Sequence, residues 1–135
     1  MALITWNETY SVGVKELDTH HQKLVTIINE LHDAMRVGKS KEVLTPILQR
    51  LAEYTVFHFA SEEKYMNNFN YPGYQAHKSE HDRFVAKVTQ FQSDLASGKV
   101  LFSMELMTFL KDWLIKHIQG MDQQYTTCLN QNGVK

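Results

Sequence analysis

The sequence predicts an all-α fold, an up-down-up-down four-helix bundle with an extended N-terminal arm, and three observations carry that prediction. Four segments of roughly 20 residues place apolar or ligand-type residues in alternating steps of three and four, the spacing that lines one face of a helix. Short polar links punctuated by Gly or Pro join the segments, which favours antiparallel neighbours. No strand-helix alternation and no Gly-rich phosphate loop interrupts the pattern.

Residues 1–17 form the arm. Ile4, Trp6, Tyr10, Val12 and Val14 fall on even positions with Gly13 inside the run, an extended rather than helical pattern. With no partner strand elsewhere, the arm is expected to lie across the helices and bury Trp6 and Tyr10. The first helix, 18–37, has Asp18 as N-cap and a seam of Leu17, His21, Leu24, Ile28, Leu31 and Met35. Gly38 suits the left-handed position that ends it, and Ser40 can cap the second helix.

The second helix, 41–67, turns Leu44, Leu48, Leu51, Thr55, His58, Glu62 and Met66 (or Tyr65) inward. Pro46 lacks an N–H and fits undistorted only in a first turn, so the helix either starts at Thr45-Pro46 or kinks; a continuous helix with a mild kink is expected. Asn67 to Gly73 is turn chemistry. The third helix, 74–97, carries His77, His81, Phe84, Val88, Phe91 and Leu95 and stops at Gly98. The fourth, 103–128, is capped by Ser103 and presents Leu106, Leu110 (or Phe109), Trp113, His117 and Met121. Asn130 to Lys135 is expected to fray.

A chain of 135 residues suits a single domain over 1–135. With 14 basic and 15 acidic side chains the formal charge is -1, which gives no field for nucleic acid or anionic membrane. One cysteine, Cys128, cannot form an internal disulfide, and Met1 to Glu8 lacks the basic start and apolar run of a signal peptide. No window reaches the roughly 18 apolar residues of a membrane span. A soluble, cytoplasmic monomer is the expectation.

His77 and His81, four apart on one helix face, can grip one metal ion. His21, the pair His58 and Glu62, and the pair His117 and Asp122 sit in the other seams, where a core hydrophobe would be usual. A single buried histidine is ordinarily a hydrogen-bonded core residue. Five of them with two inward acids would leave buried negative charge uncompensated unless a cation is present. Seven ligands exceed the about four of a tetrahedral zinc, so two metals are implied. Imidazole with carboxylate suits iron, zinc or copper. If Glu62 and Asp122 each bridge both ions, five nitrogens divide as three and two, and one ion keeps a vacant position. His117 and Asp122 are five apart, a rotation of about 140 degrees beyond a full turn, so a π-type turn or a reach back past Gly120 is expected.

These residues resemble a known family, the hemerythrins, most closely the single-domain bacteriohemerythrins. The resemblance runs through Trp6-Asn7, Tyr10 to Val14, Leu17-Asp18 before His21, His58-Phe59 with Glu62-Glu63, His77 to His81, and Trp113-Leu114 before His117 and Asp122. Myohemerythrin, a member, is a type example of the up-down bundle. The resemblance implies reversible dioxygen binding, as carrier or store and without enzymatic turnover, at two non-haem iron ions with an oxo or hydroxo bridge. It implies that His77, His81 and His117 hold the saturated iron, that His21 and His58 hold the open one, and that Glu62 and Asp122 bridge. Leu24, Trp113, Leu114 and Ile118 match the positions of an apolar dioxygen pocket. The competing readings are an oxygen or iron sensor acting through a partner, and a di-iron oxidase or peroxidase; a protein recipient of the oxygen is also conceivable. His20 replaces the Gln usual in bacterial relatives and is expected at the surface or behind a ligand. Glu63, His32 and Cys128 match no ligand position, and Glu63 is expected to be a solvated helix residue.

Overall fold

A computed structural model describes residues 3–38, 41–98 and 104–135. Helices α1 (Lys15–Arg36), α2 (Lys41–Asn68), α3 (Tyr74–Ala96), α4 (Met104–Gly120) and α5 (Thr126–Gln131) are joined by loops and by 3-10 turns at Glu8–Tyr10 and Asp122–Tyr125. Among the described residues there is no strand. The caps expected at Ser40 and Ser103 lie outside the described residues.

Side-chain pairings fix the up-down order. Glu30, late in α1, meets Arg50, early in α2, whereas Tyr65, late in α2, donates to Glu16, early in α1. Gln92, late in α3, donates to Gln49 in α2, and His81, early in α3, meets Glu63, late in α2. Phe84 packs on Trp113 and Phe109 while His81 faces His117, so α4 runs against α3. The seams predicted for α1, α2 and α3 are buried from end to end, as spacing of three and four demands. On α4 the buried face is Leu106, Met107, Leu110, Leu114, His117 and Ile118; Trp113 and Phe109 are only half-buried, as is Met121 just beyond the helix, so the core-facing stripe is turned from the predicted one.

The arm is less extended than expected. Ile4, Val12 and Val14 are buried, but Trp6 and Tyr10 are half-buried and pack on each other with ring centroids 5.6 Å apart. The Asn29 side-chain amide takes the place of a strand partner: it accepts from the Ile4 N–H at 2.9 Å and donates to the Ile4 carbonyl at 2.8 Å. Helix α1 begins at Lys15, so Asp18 lies within its first turn and is not the N-cap. Its carboxylate instead accepts from the Ser11 hydroxyl at 2.6 Å and the Val12 N–H at 2.8 Å, satisfying donors of the arm that no helix would reach. Gly13, at φ +71°, is the hinge; a Cβ there would stand 2.8 Å from Thr126 Cγ2.

Helix α2 passes through Pro46 without interruption. Asn70 in the left-handed region closes it, with the Tyr71 N–H reaching back to the Met66 carbonyl at 2.9 Å. The expected fourth helix, by contrast, is broken. It stops at Gly120, a 3-10 turn takes over at Asp122, and the short α5 comes after it. Neither a π-type turn nor a continuous helix is seen. The chain leaves helical geometry at Met121, at φ -109°, and Asp122 thereby reaches the side of His117, its Oδ1 3.0 Å from Nε2. The last residues do not fray at Asn130: the Val134 N–H bonds the Leu129 carbonyl at 2.9 Å and the Gly133 N–H that of Asn130 at 3.1 Å, closing α5.

Candidate metal centre

Each helix of the bundle delivers part of one cluster. His21 comes from α1, His58 and Glu62 from α2, His77 and His81 from α3, His117 from α4, and Asp122 from the 3-10 turn. All seven are no more than 4% exposed, so their polar atoms must find partners within the protein.

Their approach is close. Asp122 Oδ1 lies 2.6 Å from His77 Nε2 and 3.0 Å from His117 Nε2, and its Oδ2 lies 3.0 Å from His21 Nε2. Glu62 Oε1 lies 3.3 Å from His58 Nε2 and 3.1 Å from His81 Nε2, and its Oε2 lies 3.6 Å from His21 Nε2. Donor atoms within 4.8 Å of one another form two groups, Glu62, His77, His81, His117 and Asp122, and His21, His58, Glu62 and Asp122. The two carboxylates belong to both.

Proximity does not satisfy these atoms. Both nitrogens of His21 and of His77, Glu62 Oε1 and both Asp122 oxygens lack a hydrogen-bond partner of acceptable geometry. Buried polar atoms of that number are rare without an ion. Lone pairs converging on shared centres are what a cation satisfies, so the donor set fits a metal site.

The electrostatics point the same way. Burial opposes ionisation of Glu62, but His58, His21 and His81 outweigh it and hold the carboxyl well below its usual range. Burial and the nearby Glu62 likewise oppose charge on Asp122, and His117 and His21 overcome them. Burial resists protonation of His21 too, yet Asp122 and Glu62 push its pKa up to about 10. Two carboxylates thus draw a proton into the metal-free cluster, a charge that a bound cation replaces. Burial keeps His58 and His20 below their ordinary value.

An outer ring of side chains braces the cluster. His81 Nδ1–H donates to Glu63 Oε2 at 2.9 Å, so Glu63 is engaged and not merely solvated as expected. It sits on the flank of α2 that faces α3, which a count of inward seam positions leaves out. His20 is buried, with Nδ1 3.0 Å from His58 Nδ1; of its two expected places, the one behind a ligand is observed. Phe59 stacks flat on His81 with centroids 3.8 Å apart, and Trp113 on His117 at 4.3 Å. Leu24, Leu114 and Ile118 are buried in the surrounding core. His32 and Cys128 stand apart, beside Asp33 and the Phe69 carbonyl.

Sequence reasoning misses Tyr125. Its hydroxyl donates to Glu62 Oε2 at 2.6 Å and its ring lies nearly parallel to that of His77 at 5.6 Å. The one signal is its place three residues after Asp122, which aligns the two only when α4 is known to end before them.

Comparison with known proteins agrees with this geometry. A family model described as the hemerythrin HHE cation binding domain matches residues 12–129. The bacteriohemerythrin of Methylococcus capsulatus (strain ATCC 33009 / NCIMB 11132 / Bath) is 34% identical over 131 residues, covering 96% of this chain and 99% of the relative. That of Stenotrophomonas maltophilia (strain R551-3) is 33% identical over 125 residues, covering 93% and 80%. A crystal structure of wild-type hemerythrin superposes with a TM-score of 0.89 at 32% identity, over 95% of this chain and 98% of its own.

Proposed function

We propose, for a chain that belongs to the hemerythrin family, that the buried cluster holds two iron ions and that the protein binds dioxygen reversibly, as a carrier or store without substrate turnover. The observation that carries this reading is the division of five histidines into three and two around shared carboxylates. His77, His81 and His117 serve one ion, His21 and His58 the other. Glu62 and Asp122 each offer an oxygen toward both groups and so act as bridges. The half with two histidines has one donor fewer, which leaves it room for an exogenous ligand. Bound there, the iron pair supplies the redox capacity for taking up and releasing dioxygen.

The chain's own residues do the rest. The two carboxylates offset half of the charge of two ferrous ions, charge that the dry core would otherwise not tolerate. Five histidines to two carboxylates give a donor set less rich in negative charge than those that stabilise highly oxidised iron, and this favours binding over oxidation of a substrate. Leu24, Leu114 and Ile118, buried in the surrounding core, and Trp113, stacked on His117, are the apolar wall that would limit water at the centre.

Iron analysis combined with visible spectra through repeated oxygenation and deoxygenation tests the reading. Two irons per chain and an unchanged oxy spectrum from cycle to cycle are expected. Steady release of peroxide, or oxidation of an added substrate with each cycle, would replace the carrier with an oxidase.

A further inference from the structure

The outer ring nitrogens of the five histidines are not treated alike. Each has an Nε2 facing the carboxylates, and a histidine that gives Nε2 to a metal must carry its proton on Nδ1. Among the described residues, Nδ1 of His21, His77 and His117 has no protein partner. Only His81 and His58 do: His81 faces the Glu63 carboxylate at 2.9 Å, and His58 faces His20 Nδ1 at 3.0 Å. One anchored histidine therefore lies in each half of the site.

The two anchors differ in kind. A carboxylate can only accept, so Glu63 leaves His81 no choice of tautomer. A pair of Nδ1 atoms 3.0 Å apart needs one donor and one acceptor, and the choice is made by what His58 Nε2 does. When Nε2 is given to a cation, His58 Nδ1 becomes the donor and His20 Nδ1 the acceptor. His20 is held in place for that role: it is 7% exposed, and its ring packs on Phe57 at 5.1 Å and edge-on to Tyr54 at 6.0 Å.

The geometry points to His20 as a positioning residue that fixes the tautomer and ring orientation of His58, and thereby sets how firmly the two-histidine half holds its ion. This rests on the reading of the cluster as a two-ion centre. It also makes the halves unequal by design of the chain: an anionic acceptor strengthens His81 as a donor, while an imidazole acceptor strengthens His58 less.

The test is an anaerobic titration of ferrous iron into the metal-free full chain, then chelator-driven removal, for wild type, His20→Leu and His20→Asn. Leu fills the space without an acceptor; Asn restores an amide oxygen near the place of Nδ1. In His20→Leu one of the two binding steps should weaken about 10–100-fold, and the more labile iron should leave correspondingly faster, with the other step unchanged. His20→Asn should stay within a few-fold of wild type. Unaltered binding by His20→Leu, equal weakening of both steps, or an equal loss in Leu and Asn would overturn the assignment, since packing alone would then account for His20. A wild-type chain that binds fewer than two irons would remove the two-ion reading itself, and this inference with it.

Discussion

Replacing Tyr125 with Phe removes one oxygen from the centre of the protein and leaves the ring that lies along His77. The hydroxyl is fully buried, and its hydrogen bond to the Glu62 carboxylate is 2.6 Å long. A hydrogen bond to a charged group contributes about 1.5–3 kcal/mol, and the carboxylate oxygen left behind cannot turn to water. At about 2.1 cal/mol/K per residue, the 135-residue chain has an unfolding entropy of about 0.28 kcal/mol/K, so the metal-free variant should melt roughly 5–10 °C below wild type. Calorimetry on metal-free and iron-loaded protein reads both the size and the cause. With ions bound, Glu62 faces cations and depends less on the hydroxyl, so the gap between variant and wild type should narrow. A metal-free shift below about 2 °C, or a gap that loading does not change, would refute the reasoning.

The same geometry sets three further outcomes. Glu62→Ala deletes a carboxylate shared by both donor groups, so iron content should fall below two per chain and the oxy spectrum should vanish; normal loading would deny its bridging role. Leu24→Ala should keep the iron but speed autoxidation as water gains entry, at a stability cost of about 2–5 kcal/mol; an unchanged oxidation rate would remove Leu24 from the pocket wall. Gly13→Ala places a methyl 2.8 Å from Thr126 Cγ2 on a backbone at φ +71°, so a loss of about 1–3 kcal/mol by denaturant melts is expected, and a neutral result would show that the hinge relaxes freely.

Most of the bundle is legible because burial leaves a periodic trace. In α1, α2 and α3 the seam residues named from spacing alone are in the core, with Met66 rather than its alternative Tyr65 at the end of α2, and five histidines at core positions are conspicuous for the same reason. What the spacing hides is chemistry away from the seam. Glu63 and His20 touch the outer nitrogens of inward histidines from helix flanks where polar residues are usual, so spacing reads Glu63 as solvated and cannot choose between the two places open to His20. Asp18 looks like a cap because such residues commonly open helices, but the arm competes for the same carboxylate. The end of α4 escapes because nothing in the seam shows that a helix stops and resumes. Tyr125 and the route of Asp122 to the cluster both depend on that break.

The arm holds the segment after that break. Gln123 donates to the carbonyls of Thr9 and Ser11, and Thr126 donates to that of Val12, across separations of 112 to 114 positions. During synthesis, His21, His58, His77 and His81 therefore emerge from the ribosome well before their last carboxylate. A nascent chain can offer a metal only part of its donors, and it cannot complete the set until residues near opposite ends of the sequence have met. The full donor set therefore exists only once residue 122 has been made, and a chain interrupted before it would lack the Asp122 carboxylate shared by both donor groups.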